Sequence, residues 1–137
     1  MSPSRYGLVF HHFGLAARAV EEVRIFLSGL GYRIGPLVVD PEQSVRVAMC
    51  AGDGLPAIEL VLPSGAEGPL AGILKNRESL LYHACFATKD AEASLAAIAR
   101  DGLQTILVSP AKPAVLFGGR PVSFHYVSGF GLIELLQ

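Results

Sequence analysis

His12 and Glu59, and then His83 and Glu134, follow one another in the same order and in the same kind of surroundings along this chain. Each histidine sits in a short apolar run, Phe10-His11-His12-Phe13-Gly14-Leu15-Ala16 and Leu81-Tyr82-His83-Ala84-Cys85-Phe86. Each glutamate follows an isoleucine in another, Ile58-Glu59-Leu60-Val61-Leu62 and Ile133-Glu134-Leu135-Leu136. An ionised carboxylate among Ile and Leu is costly to bury unless it meets a cation. Strand alternation offers a second outcome, in which Glu59 faces solvent between inward Ile58 and Leu60. That escape would have to apply at every one of four positions related by a duplication within the sequence. Two imidazoles and two carboxylates together form a mixed N/O donor set suited to one borderline divalent ion. The separation within each pair is not a metal motif in itself; only its repetition is specific.

The elements that must position these residues are repeated too. A shift that lays His12 on His83 also lays Ala16 on Ala87, Arg18 on Lys89, Glu21 on Glu92 and Gly31 on Gly102. In each copy a histidine-bearing strand leads through a basic residue into an amphipathic helix closed by glycine. Val20, Val23, Leu27 and Leu30 recur at helical spacing in the first copy, and Ala91, Leu95 and Ile98 in the second, with Asp90 placed as an N-cap. The spacing predicts helices near 19–30 and 90–101, each ended by a left-handed residue at Gly31 or Gly102. Further on, Arg46-Val47-Ala48-Met49-Cys50 before Gly52-Asp53-Gly54 parallels Ser123-Phe124-His125-Tyr126-Val127 before Gly129-Phe130-Gly131. Each glycine pair is a hairpin signal leading to a glutamate strand. The expected architecture is therefore α+β: two βαβββ modules, residues 6–63 and 80–137, forming a curved mixed β-sheet around a metal-binding cavity. Together they make one domain spanning 1–137, with 63–79 as the linker. Between Gly31 and Val45, Pro36 and Pro41 leave room only for short or edge strands. Two copies are too few for a solenoid, so they are expected to pack as a pseudo-symmetric pair.

Composition narrows the function. The chain has 137 residues, 51% hydrophobic and 17% charged, with a net charge of −1. That balance suits one globular domain and supplies no basic surface for nucleic acid. No apolar stretch approaches a membrane span or a signal-peptide core, so a cytoplasmic protein acting on a small molecule is expected. Cys50 and Cys85 lie in apolar segments and read as buried free thiols.

The histidine and glutamate strands together resemble those of the vicinal oxygen chelate superfamily, in particular glyoxalase-type and methylmalonyl-CoA epimerase-type proteins. The resemblance covers nearly the whole chain. Pro41-Glu42-Gln43-Ser44-Val45 is similar to a segment of the epimerases, as is the stretch from Leu62-Pro63 through Gly68-Pro69-Leu70 to Ile73-Leu74. The His/Glu/His/Glu set is the one typical of bacterial glyoxalase I, whereas epimerases often carry glutamine where Glu59 stands. At Val47 the best-known epimerases place a second glutamate as proton-transfer base. Valine accepts no proton, so Glu42 or another residue replaces it, or the reaction is a different one.

The resemblance implies one divalent metal ion (Zn, Ni, Co, Mn, Mg or Fe) held by His12, Glu59, His83 and Glu134. It implies an isomerase, epimerase or lyase acting on an acyl thioester or hemithioacetal through an enolate-like intermediate, with Glu134 first and Glu59 second as the base. Pro110 to Arg120 reads as a loop entering the last hairpin, where Lys112 and Arg120 could hold a substrate carboxylate or phosphate, or simply be solvated. His125 either faces the site or is an ordinary strand histidine, and His11 should turn away from His12. Two rivals remain. A ring-cleaving dioxygenase uses two histidines and one carboxylate, and Glu59 would crowd its fourth position. A drug-sequestering protein of the bleomycin-resistance kind keeps the fold without the metal. Open sheet edges and high apolar content point to a homodimer.

Overall fold

The computed structural model describes residues 2–65 and 67–137. Its elements run β1 (Val9–Ala17), α1 (Glu21–Leu30), β2 (Arg33–Ile34), β3 (Val38–Asp40), β4 (Val45–Ala51), β5 (Ile58–Pro63), α2 (Leu70–Ile73), β6 (Ser79–Ala87), α3 (Ala91–Arg100), β7 (Thr105–Pro113), β8 (Pro121–Val127) and β9 (Gly131–Leu136). The protein is α+β, and the chain falls into two compact units. One comprises His12–Tyr82; the other comprises Met1–His11 together with His83–Gln137. The unit boundaries differ from those of the repeats in two respects: the residues up to His11 group with the second copy, and residues 80–82 group with the first.

In the unit His12–Tyr82 the strands lie in the order β2-β4-β5-β1, with β3 also on β4. β1 and β5 are parallel, β4 and β5 antiparallel. A helix between β1 and the rest is what such a parallel closing pair requires, since parallel neighbours need a crossover. α1 supplies it. Its Leu27 is buried with Ala17, Tyr32, Ala48, Cys50, Leu60 and Leu62, and Val20 and Val23 pack against them. The helix ends at Gly31, whose φ of 103° gives the left-handed cap. Gly52 is required for a different reason: a Cβ there would lie 2.7 Å from the Gly31 carbonyl oxygen. The proline-bearing segment after the helix yields only the short strands β2 and β3. Their two pieces do the work of one longer edge strand.

The other unit repeats this order as β7-β8-β9-β6, with β6 and β9 parallel and the rest antiparallel. Asp90 caps α3 by accepting the Ala93 N–H at 3.1 Å. Ile98 is buried with Val127, Ile133 and Leu135.

Two expectations need correction. Residues 63–79 are not all linker, since Leu70–Ile73 forms a single helical turn with Leu70 buried. Arg18 ties this stretch down through its Nε, 2.9 Å from the Arg77 carbonyl oxygen, and its Nη2 on that of Leu74. The segment Pro110–Pro113 is not a loop but the end of β7. Proline is tolerated there because β7 is a terminal strand in the order, paired only with β8. The loop shortens to a 3-10 turn at Val115–Phe117 and two left-handed glycines, Gly118 and Gly119.

Candidate metal centre and the family of the chain

Opposed residues of paired strands share a sheet face, and so do residues two apart on one strand. In His12–Tyr82, Gly14 pairs with Glu59 and Met49 with Glu59, so His12, Glu59 and Met49 share a face, together with Val47 and Val61. Leu60 and Leu62 point the other way, into the α1 core. Alternation therefore aims Glu59 away from the helix, yet it is only 7% exposed, and the solvent-facing outcome does not occur. His12 is fully buried, and its Nε2 stands 3.5 Å from Glu59 Oε1.

The second unit repeats the arrangement. Cys85 pairs with Glu134 and Phe124 with Glu134, which puts His83, Cys85, Glu134 and Phe124 on one face. Leu135 and Ile133 face α3. His83 and Glu134 are buried, with Nε2 3.2 Å from Oε1, and the Phe124 ring meets the His83 ring edge-on at 5.2 Å.

The two contact lengths carry chemical information. Charge-assisted N–H···O bonds are typically about 2.7–2.9 Å. Two donors that share an ion at about 2.0–2.2 Å each are instead held about 3.0–3.5 Å apart by right-angled or tetrahedral coordination. Each His–Glu pair thus fits adjacent ligands of a cation, and neutral imidazole with carboxylate is the donor set a divalent ion takes.

The other predicted residues are distributed unevenly. Lys112 lies opposite Val122 on β7, and Val122 shares the Glu134 face. The Arg120 Nε donates to the Gln137 carbonyl at 2.8 Å, so this arginine ties the end of the chain. His125 pairs with Ile133 and thus faces α3, opposite Glu134. Its Nε2 lies 2.8 Å from Ser123 Oγ, and burial pushes its pKa below the ordinary histidine value. The structure does not bring His125 to the Glu134 face; a one-residue difference in strand parity separates them. Glu42 is exposed in the turn between β3 and β4, and Val47 is buried beside Val61.

His11 also departs from expectation. Its ring stands edge-on to Phe117 at 5.2 Å, and Phe117 packs on Cys85, Val122 and Leu136, neighbours of Glu134 on the same face. Sequence reasoning missed Phe124 and Phe117 as apolar walls of this face. Phe124 was legible from its place two residues before Tyr126 in the hairpin, while Phe117 reaches the wall only by the fold of the turn. Burial also raises the pKa of the Cys50 thiol, as expected of a structural cysteine. Among the described residues no helix is long and apolar enough to cross a membrane.

Comparisons with known proteins agree with this construction. The mitochondrial methylmalonyl-CoA epimerase of Bos taurus is 30% identical over 131 residues, 93% of this chain and 73% of that protein. The crystal structure of methylmalonyl-CoA epimerase from Mycobacterium tuberculosis matches with a TM-score of 0.72 at 20% identity, over 93% of this chain and 85% of that one. A hypothetical protein from Bacillus halodurans C-125, BH1468, matches with a TM-score of 0.75 at 23% identity, over 94% and 93%. At such identities the solved structures establish the fold. The family model of the Glyoxalase/Bleomycin resistance protein/Dioxygenase superfamily matches residues 11–124, and with most of its length in that match this chain belongs to that superfamily.

Proposed function

We propose that this protein is a divalent-metal-dependent isomerase or epimerase, or a closely allied lyase, that moves a proton on the carbon beside the carbonyl of a small acyl thioester. The observation that carries this reading is the buried His–Glu pair, present once in each unit at 3.5 and 3.2 Å on the face turned away from the helix. On this reading His12, Glu59, His83 and Glu134 hold one cation, and the two units act as a single domain. A bound dication would offset the negative charge that develops on the thioester oxygen as the neighbouring proton leaves.

The remaining roles belong to the chain itself. Glu134 is the first choice for the base: one carboxylate oxygen stays by His83 and the other takes the proton from the carbon, and epimerisation follows when the planar enolate-like intermediate is reprotonated on its opposite face. Glu59 is the second choice, from the equivalent place in the other copy. Val47 offers no proton acceptor, so the carboxylates of the pairs must serve. Phe124 and Val122 exclude water beside Glu134, and Val47 and Val61 do so beside Glu59. The thioester class follows from the epimerase relatives, one of whose structures holds methylmalonyl-CoA. The test is deuterium exchange at the α-carbon of acyl-CoA substrates in D2O, with a hemithioacetal panel and catechol oxygen uptake alongside. Exchange confined to thioesters supports the reading; oxygen consumption with catechols overturns it.

We also propose that the protein works as a homodimer. Ile25, Phe26 and Leu30 on the outer side of α1 remain exposed and give apolar surface for a second copy.

A further inference from the structure

We infer that Phe117 limits the size of the acyl group this protein accepts, by closing one end of the face that carries Glu134. The inference rests on the reading of Glu134 as the reacting group. On that face Glu134 lies between Leu132 and Leu136 along β9, with Cys85 beside it on β6 and Phe124 on β8. The Phe117 ring packs on the cluster of Cys85, Ala114, Val122 and Leu136. It therefore stands at the Leu136 end of the face.

The connection from β7 to β8 fixes the ring there. The Phe117 N–H donates to the Ala114 carbonyl at 3.2 Å, and the Gly119 N–H reaches the same oxygen at 3.0 Å. The Ala114 N–H in turn donates to the Arg120 carbonyl at 3.1 Å, closing the base of the connection. Arg120 is tied to the Gln137 carbonyl, and Ala114 is buried. Gly118 and Gly119 complete the reversal with φ of 65° and 81°, values that favour glycine. His11 meets the ring edge-on. A connection whose backbone groups are paired within it is a fixed wall rather than a lid.

The duplication makes this wall a property of one copy. The equivalent connection of the first copy, from β3 to β4, is the four residues 41–44, against the seven of 114–120. Pro41, Glu42, Gln43 and Ser44 include no aromatic side chain. The pair Val122–Leu136 corresponds to Val47–Val61, each two residues beyond its glutamate on the last strand. Only in the second copy does the chain double back to set an aromatic ring over that pair. Two glutamates related by duplication thus acquire different surroundings.

Distance defines what fits. Leu136 lies two residues beyond Glu134, about 7 Å along the strand. A carbon that gives its proton to Glu134 stands about 3 Å from the carboxylate. One or two further carbons fill the interval before the ring, part of which stays accessible because Phe117 is only partly buried. A longer substituent on the reacting carbon meets the ring and turns out to water. It then loses the roughly fourfold in affinity that each buried methylene brings.

The test is equilibrium binding of propionyl-coenzyme A and hexanoyl-coenzyme A to the full chain. The two probes differ only in the methylenes beyond the reacting carbon. Wild type should bind the propionyl probe the more tightly. Phe117→Ala should raise hexanoyl affinity at least about tenfold and leave propionyl affinity within about threefold. Phe117→Leu, which keeps an apolar side chain in the cluster, should raise hexanoyl affinity alone by a smaller factor, and it carries the test if Phe117→Ala does not fold. Val115→Ala, changing an exposed side chain of the same turn, should alter neither affinity. A wild type that prefers the hexanoyl probe overturns the assignment, as does hexanoyl affinity unchanged in the Phe117 variants. Equal losses for both probes overturn it too, because they mark a purely structural role. Deuterium exchange at the α-carbon of the same probes separates this inference from the proposed reaction. A size preference reversed by Phe117→Ala without exchange on any thioester leaves Phe117 assigned and removes the reaction. Exchange without any size preference keeps the reaction and removes Phe117.

Discussion

His83 Nε2 and Glu134 Oε1 stand 3.2 Å apart on adjacent parallel strands, and the first repeat places His12 and Glu59 in the same relation. Replacing Glu134 by glutamine removes one charge and little volume. Metal affinity should fall by at least about tenfold, in the range seen when a site's charged partners are lost, and α-proton exchange should stop. Glu42→Gln, altering an exposed turn, should leave both unchanged. Metal content by mass spectrometry of the dialysed protein and the exchange assay check this, and full metal occupancy in Glu134→Gln would remove Glu134 from the coordination.

Removing the metal should also cost stability. A dication that binds the folded pairs and not the unfolded chain stabilises the fold in proportion to the logarithm of its concentration over Kd. Chelation should therefore lower Tm, and added metal should restore it. In the variant His12→Ala/His83→Ala, thermal unfolding should lose its dependence on metal.

The Ser123–His125 contact predicts a pH dependence separate from catalysis. Burial depresses the His125 pKa in the folded state. The unfolded chain then takes up its proton first as pH falls, so the contribution is complete above the ordinary value of 6.5 and declines from there towards the folded pKa. His125→Gln should flatten the fall in Tm between about pH 7 and pH 5 relative to wild type. Because His125 faces α3, the pH profile of exchange should keep its shape in this variant.

Leu60 follows Glu59 directly, and its side chain is fully buried on the α1 side among Leu27, Ala48 and Leu62. Leu60→Ala should cost about 2–5 kcal/mol of unfolding free energy. Metal stoichiometry well below Tm should be unaltered, since Glu59 on the opposite face keeps its partner. Denaturant titration and metal analysis on the same sample check both halves.

For assembly, sedimentation at micromolar concentration should give twice the chain mass. Phe26→Asp, on the exposed side of α1, should shift the protein towards the monomer while leaving its circular dichroism unchanged.

Much of this protein was decided by local pattern. The repeated histidine and glutamate strands, the Asp90 cap, the left-handed Gly31 and the hairpin glycines follow from short-range rules of alternation, capping and turn geometry, which act within a few residues and are therefore written in the sequence. The prolines between Gly31 and Val45 limited that stretch to the short strands found there. What the sequence could not decide was register. Whether His125 faces Glu134 or α3 depends on a parity set by pairing with β9, and whether Pro110 or Lys112 lies opposite Val122 depends on two bulges in β7. Each turns on a shift of one or two residues that leaves composition and periodicity nearly unchanged while moving a side chain to the other face or along it. His11 shows the same limit: strict alternation with His12 would turn it away from the site, whereas its contact with Phe117 arises only when a distant turn folds over the Cys85–Val122 wall. Local chemistry singled out the histidines and glutamates; long-range pairing decided which other residues stand beside them.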